Sequence, residues 1–348
     1  MTRNGPDVVE ALPQVEVDTP GAPPGCRRRL VETARLHWSA TDGGDPADLA
    51  QRFLAAHGVT RDDLTRPGRH DPDDAVCGAA LYLSAAAGAY TLGVSPGAPS
   101  PAPTLPDLVV VVYHHTDRPT PTPPPAHAGG WRLGPWRDSW TPAAHAAAVD
   151  AVRAAIARGD VYQTNLVGHA AAPYTGDPRP AGGAGRRELL ASAKERAEHV
   201  MIVDLERNDL ARVARTGSVR VDELFAVRRW CDLWQAESTV SAAPADGLGL
   251  ADLLRAVCPG GSVTGAPKRA ALAQIAALEP VGRGASMGAL GWVGPDRLDL
   301  GLTIRTAAAD GDLLHLWAGG GITWDSDPAA EVAEAAAKAA PIRALLAG

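Results

Sequence analysis

Long apolar runs are missing from this 348-residue chain. No stretch approaches the roughly 20 residues needed to span a bilayer, and the Met1 end lacks the apolar core of a signal peptide. The expectation is a cytoplasmic protein with no membrane partner. Cysteine is scarce too: Cys26, Cys77, Cys231 and Cys258 are widely spaced with no C-x-x-C pair. That spacing gives no disulfide framework and argues against a structural zinc site. Basic charge is not in excess, since the formal net charge is −7 and Lys and Arg do not cluster on an arm. There is thus no electrostatic footprint for nucleic acid or an anionic membrane surface. What the chain does have is 45% apolar residues, enough to bury a core, so a globular protein with a small-molecule partner is expected.

Composition divides the chain. Residues 1–25 are rich in Pro, Gly and acids and read as a poorly ordered end. In 26–117, "PADLAQRFLAAHG" has Leu49, Phe53 and Leu54 on one stripe and Gly58 as its stop. "CGAALYLSAAAGAYTLGV" and "LPDLVVVVYHH" then have β-character. Residues 118–137 hold too many prolines for a helix or a central strand and read as a linker or surface loop. In 138–348, "TPAAHAAAVDAVRAAIARGD" has Thr141 as N-cap, Pro142 at the first helical position, Val149, Val152 and Ile156 on one face, and Gly159 at its end. "VYQTNLVGHA" alternates as a strand, and "RELLASAKERAEHVMIVDLERND" repeats at helical spacing, although "VMIVDL" alone passes for a strand. Downstream, "GSVRVDELFAV", "ASMGALGWVG", "RLDLGLTIRTAAA" and "LLHLWAGGGITW" read as strands. "GLADLLRAVCP", "GAPKRAALAQIAALEP" and a last helix capped by Ser326 or Asp327 read as helices. The pattern is α+β with much antiparallel sheet.

Several residues suit chemistry, each with a plainer alternative. Glu331, Glu334 and Lys338 fall on one face of the last helix. Alone they read as a solvated face with an ion pair worth about 0.3 kcal/mol. Glu198, four residues after Lys194, is similar; only its convergence with Glu334 would make a site for Mg²⁺, which favours hard oxygen ligands. "PGGSVTGAPKRAA" sets a Gly-rich turn and Thr264 before a helix, a place for phosphate or carboxylate, although it is not a nucleotide P-loop. Gly319, Gly320 and Gly321 either let a ligand approach the backbone or form a bulge. Arg305 reads as a guanidinium inside an apolar strand, needing an acid partner. Gly182, Gly183 and Gly185 lack the Lys-Ser/Thr that follows a phosphate loop.

An ordered set of segments, "GDVYQTNL", "AKERAEHVMIVDLERNDLARVARTGSVRV", "PGGSVTGAPK", "LTIRTA" and "AGGGITWDSDPAAEVAEAAAK", resembles the chorismate-utilising enzymes. These include aminodeoxychorismate synthase component I, anthranilate synthase component I, and the isochorismate and salicylate synthases. "MIVDLERNDLARVA" and "GGSVTGAPK" are most similar to the aminodeoxychorismate branch. The resemblance implies two large antiparallel β-sheets packed face to face with helices outside. It implies that Glu198 and Glu334 hold Mg²⁺ at the chorismate ring carboxylate. Arg305, Lys338, Thr264 and the backbone at Gly319, Gly320 and Gly321 would bind the carboxylates. Gln163 stands where isochorismate-forming relatives have a water-activating lysine; an amide is no base, so an amine is the implied nucleophile. The implied partner is a glutamine amidotransferase that supplies ammonia, and the implied product is 4-amino-4-deoxychorismate.

The sequence also departs from that pattern. Relatives carry, between the strand and helix motifs, a Ser-Pro-Glu whose Glu is the general acid and a Pro-Ile-x-Gly-Thr whose Lys attacks the ring in aminodeoxychorismate synthases. Between Leu166 and Glu188 this chain has neither, and Gln235 replaces a His found in many relatives. The catalytic region is thus shortened between about 175 and 188. Two further readings follow: an anthranilate synthase component I, and a non-catalytic chorismate-binding or subunit-interaction protein. The shortened block should also leave unpaired strand edges.

Overall fold

The computed structural model describes residues 29–66, 68, 75–116, 131–176, 193–230 and 233–347; the side chains of 29, 193–201 and 227–236 are not described. The expectations for 1–25, for 118–130 and for the Gly182–Gly185 run lie outside these residues, as do Cys26 and Cys231. Among the described residues no helix is long and apolar enough to cross a membrane.

Alternating burial builds the first sheet. Its strand order is β1 (Arg29–Trp38), β3 (Leu108–Thr116), β2 (Val76–Leu83), β10 (Ala289–Val293) and β11 (Leu298–Leu302). All neighbours are antiparallel. Leu108, Val110 and Val112 share one face of β3, as period-two spacing requires, and that face is fully buried. Against it lie α1 (Pro46–Ala56), α2 (Ala85–Thr91) and α5 (Leu250–Val257). Leu54, Leu250 and Leu254 pack into one core with Leu81, Leu108 and Val110. Helix α1 starts where Asp45 accepts hydrogen bonds from the Ala47 and Asp48 amides, with Pro46 next in line. Strands β10 and β11 complete a sheet begun by β1, β2 and β3, so segments more than 170 residues apart share that core.

The second sheet runs β12 (Thr306–Asp310), β13 (Leu313–Ile322), β6 (Gln163–Thr175) and β4 (Arg132–Leu133), with β5 (Arg137–Asp138) and β9 (Gly265–Ala266) also pairing with β6. The proline-rich reading of 118–137 thus ends in two short ladders against β6 rather than in free loop. β6 and β13 pair without a register shift from Leu313↔Pro173 to Ile322↔Thr164. This corrects the bulge reading of Gly319–Gly321. Helix α3 (Pro142–Ala157) begins as expected, with Thr141 Oγ accepting from the Ala144 amide, and Val149 and Val152 are fully buried. Gly159 follows the helix with a φ of +78°, a conformation that glycine takes without strain. Helix α7 (Pro328–Ala347) is capped by Asp327, whose carboxylate accepts from the Ala330 amide.

"VMIVDL" is helical within α4 (Ala193–Ala211). The remaining elements are β7 (Arg220–Trp230), β8 (Leu233–Ser241) and α6 (Lys268–Leu278). Among the described residues β7 and β8 pair only with each other, a hairpin that joins neither sheet and exposes Val221 and Leu224. "RLDLGLTIRTAAA" is not one strand: β11 belongs to the first sheet and β12 to the second, and Thr303–Arg305 carries the chain across. Arg305 is therefore not buried in a strand. It is exposed, at a φ of +49° that side chains rarely adopt, because the backbone must turn sharply between sheets.

A buried ion pair ties the second sheet to the turn before α6. The Arg283 guanidinium lies 2.7 Å from Glu279 Oε1 and also donates to the carbonyls of Asn165 and Val263. Glu279 Oε1 accepts from the Val167 amide at 2.9 Å, so the pair holds two neighbouring polar groups on one edge of β6. Arg283→Met leaves a buried carboxylate unpaired and should cost about 3–5 kcal/mol. Chemical denaturation reads the loss; Glu279→Gln added to Arg283→Met should recover part of it. A single variant as stable as the parent would contradict this role.

Candidate functional site

The glycines of β13 form an open floor. The β12 ladder stops at Thr306, opposite Trp317, so among the described residues Gly319, Gly320 and Gly321 have a strand partner on the β6 side only. Each has its own reason for lacking a side chain. A Cβ on Gly319 would meet the Leu166 carbonyl at 2.1 Å, a clash with backbone, so this glycine serves the close approach of β6. A Cβ on Gly320 would lie at 3.4–3.6 Å from Glu334 Oε1, Glu331 Oε2 and Lys338 Nζ. One on Gly321 would lie 3.7 Å from Gln163 Oε1. Gly320 and Gly321 thus face functional groups across space that a small ligand could use.

Helix α7 supplies those groups. Lys338 Nζ donates to Glu334 Oε1 at 2.6 Å and to the Gly319 carbonyl at 3.2 Å. Glu331 is buried, and its Oε1 accepts from Ser326 Oγ at 2.7 Å. The solvated-face reading of this trio is thereby corrected: the helix lies against β13, and its charges look onto the glycine floor. Gln163, 3% exposed, stands at the start of β6. Glu198 is on α4 with its side chain outside the described residues, so its approach to Glu334 is not described. Gln235 is also undescribed in its side chain, though its backbone pairs with Arg228. Exposed Arg305 makes no hydrogen bond or ion pair among the described residues. No group of three or more His, Cys, Asp or Glu gathers as a metal site among them.

The Gly-rich turn expected to hold an anion lies beside a carboxyl group of the protein's own, that of Glu206 on α4. Burial raises the Glu206 pKa, and the charge of Asp209 adds to it. Asp209 pairs with Lys268 at 2.7 Å, and its own pKa is raised by burial against the pull of that lysine. Thr264 is fully buried, its hydroxyl donating to the Gly260 carbonyl at 2.8 Å. A Cβ on Gly261 would sit 2.8 Å from Leu205 Cβ, which shows how closely α4 presses on the turn. Sequence reading missed Glu206; the available signal was its i,i+3 spacing from Asp209 on the helix that also carries Glu198.

Residues 181–344 match the chorismate binding enzyme family. The chain is 50% identical over 149 residues to anthranilate synthase component 1 of Streptomyces coelicolor, a match covering 42% of this chain and 29% of that protein. It is 44% identical over 153 residues to aminodeoxychorismate synthase component 1 of Bacillus subtilis, covering 44% and 33%. Its C-terminal half is thus similar to the chorismate binding enzymes. The matched stretch spans about a third of each curated relative's own length. The fold of the whole chain is also theirs. The structure of anthranilate synthase component I from Streptococcus pneumoniae superimposes with a TM-score of 0.69 at 21% identity, over 99% of this chain and 95% of that one. The menaquinone-specific isochorismate synthase of Escherichia coli gives 0.55 at 15% identity, over 92% and 95%.

One polar cluster lies outside the shared motifs. His169 shares a 2.6 Å hydrogen bond with Ser139 Oγ through Nδ1 and a 3.0 Å one with His315 Nδ1 through Nε2. Burial, and then His315, push the His169 pKa down from 6.5 to about 4; burial also lowers those of His145 and His315. The unfolded chain therefore takes up these protons from 6.5 downward, while the folded His169 resists until about 4 and His145 and His315 resist in the same direction. Stability is full above that window and falls as pH drops through it. The raised carboxyls of Glu206 and Asp209 act in the opposite sense at lower pH. The denaturation midpoint should thus decline between about pH 7 and about pH 5, and less so in His169→Gln. An identical decline in that variant would remove His169 from the account.

Proposed function

We propose that this cytoplasmic chain is a chorismate-binding protein of the aminodeoxychorismate synthase component I type. The observation that carries this reading is the open glycine floor, faced by Glu334 and Lys338 and bordered by Gln163. Lys338 Nζ and the backbone at Gly319–Gly321 would take the carboxylates of the substrate, with exposed Arg305 as a further contact; Thr264, buried and donating to the Gly260 carbonyl, supports the turn instead. The described donors of this face fit a hard cation: the Glu334 and Glu331 carboxylates stand together over Gly320. Glu334, with Glu198 from α4, would hold Mg²⁺. Bound there, Mg²⁺ supplies charge neutralisation at the ring carboxylate and assists departure of a hydroxyl.

Gln163 takes no proton, so it activates no water; ammonia from a glutamine amidotransferase partner is the nucleophile this face suits. Attack at C4 with loss of the hydroxyl gives 4-amino-4-deoxychorismate. No glutamate or lysine stands in the sequence between Leu166 and Glu188 to assist that step, which supports a second reading: a chorismate-binding or subunit-interaction protein without turnover. Incubation of the purified chain with chorismate, Mg²⁺ and an ammonium salt, with products identified by mass, separates these. Aminodeoxychorismate supports the first reading and anthranilate an anthranilate synthase component I. Chorismate binding without product supports the second, and no binding contradicts both.

A further inference from the structure

Helix α7 has a second working face. Glu331, Glu334 and Lys338 look onto Gly320, whereas Ala335, Ala339 and Arg343, four residues apart, line a cavity of about 160 Å³ beneath the helix. α3 and the β6–β13 pair close its other sides. The volume is well below that of a nucleotide-sized pocket and suits a single small ring.

Two side chains in its lining carry nitrogens with no hydrogen-bond partner among the described residues. Arg343 Nε is buried and unpartnered, although the same guanidinium pairs with Asp138 and lies over the Trp136 ring, 5.4 Å from its centroid. The charge and one face of Arg343 are thus satisfied, and one N–H is left over. His145 is 7% exposed, and neither of its ring nitrogens is hydrogen-bonded among the described residues. Its ring leans on Trp140 with centroids 4.4 Å apart, which makes an aromatic wall. A buried N–H such as that of Arg343 Nε costs stability unless something accepts from it. An occupant must therefore bring acceptor oxygens to one end and a flat apolar body to the other. The alanines of α7 leave the room for that body.

We propose that this cavity is a second ligand site, which takes a small planar monocarboxylate. Its carboxylate accepts from Arg343 Nε and His145, and its ring lies against Trp140. The inference is independent of the reaction assigned to the glycine floor.

Benzoate is the probe, titrated into the full chain and followed by histidine ring NMR and calorimetry. His145, assigned by its loss in His145→Phe, should shift and saturate. Ala335→Leu, which fills the cavity with apolar volume, should abolish that shift and weaken the cavity binding at least about tenfold. A crystal soaked in 4-bromobenzoate should show bromine between Trp140 and Ala335, a readout that needs no variant. The proposal is overturned by a His145 signal that never shifts or by a shift that survives Ala335→Leu. Ordered water alone in the cavity, or bromine only on the Gly320 face, overturns it equally.

Discussion

The buried pair of Glu279 and Arg283 is the constraint on which the second sheet depends. Such a pair contributes little net stability over an apolar replacement, because desolvation offsets the attraction. What it fixes is position. Glu279 takes the Val167 amide, and Arg283 takes the Asn165 and Val263 carbonyls, so one ion pair fastens β6 to the turn that leads into α6. β6 in turn sets the register of β13 and thus where the three glycines lie. Gln163 at the start of β6 and His169 further along it inherit the same placement.

From that frame, α7 does two things with one helix. Its i, i+3, i+7 positions carry the charges over Gly320, and its i, i+4, i+8 positions carry alanines and Arg343 over the cavity. Glycine at 319 and glycine at 320 differ for the same geometric reason. The first lets the β6 backbone approach; the second leaves space below carboxylates and an ammonium. The β12 ladder stops at Thr306, which leaves the other backbone edge of the glycines without a strand partner among the described residues.

Much of this was legible in the sequence because it is local. Thr141, Asp327 and the alternation in "LVVVV" announce caps and a strand by short-range chemistry, and the ordered motifs announced the family. What was not legible depends on distant packing. Arg305 looked buried because its neighbours in sequence are apolar; nothing local says that the chain changes sheets there. Glu331, Glu334 and Lys338 looked solvated because spacing gives a shared face and not the element that covers it. The turn at Gly261 was expected to hold an anion; the carboxyl group beside it is that of Glu206, more than fifty positions earlier in the chain.

The central claim is that the Gly320 face binds chorismate together with Mg²⁺. Calorimetric titration of chorismate into the protein with and without Mg²⁺ tests it, repeated for Glu334→Ala and Gly320→Ala. The account predicts saturable, Mg²⁺-dependent binding that Glu334→Ala abolishes. It also predicts that Gly320→Ala, whose added methyl group fits at ordinary contact distances, weakens binding without unfolding the chain. Binding of equal strength in Glu334→Ala would contradict it.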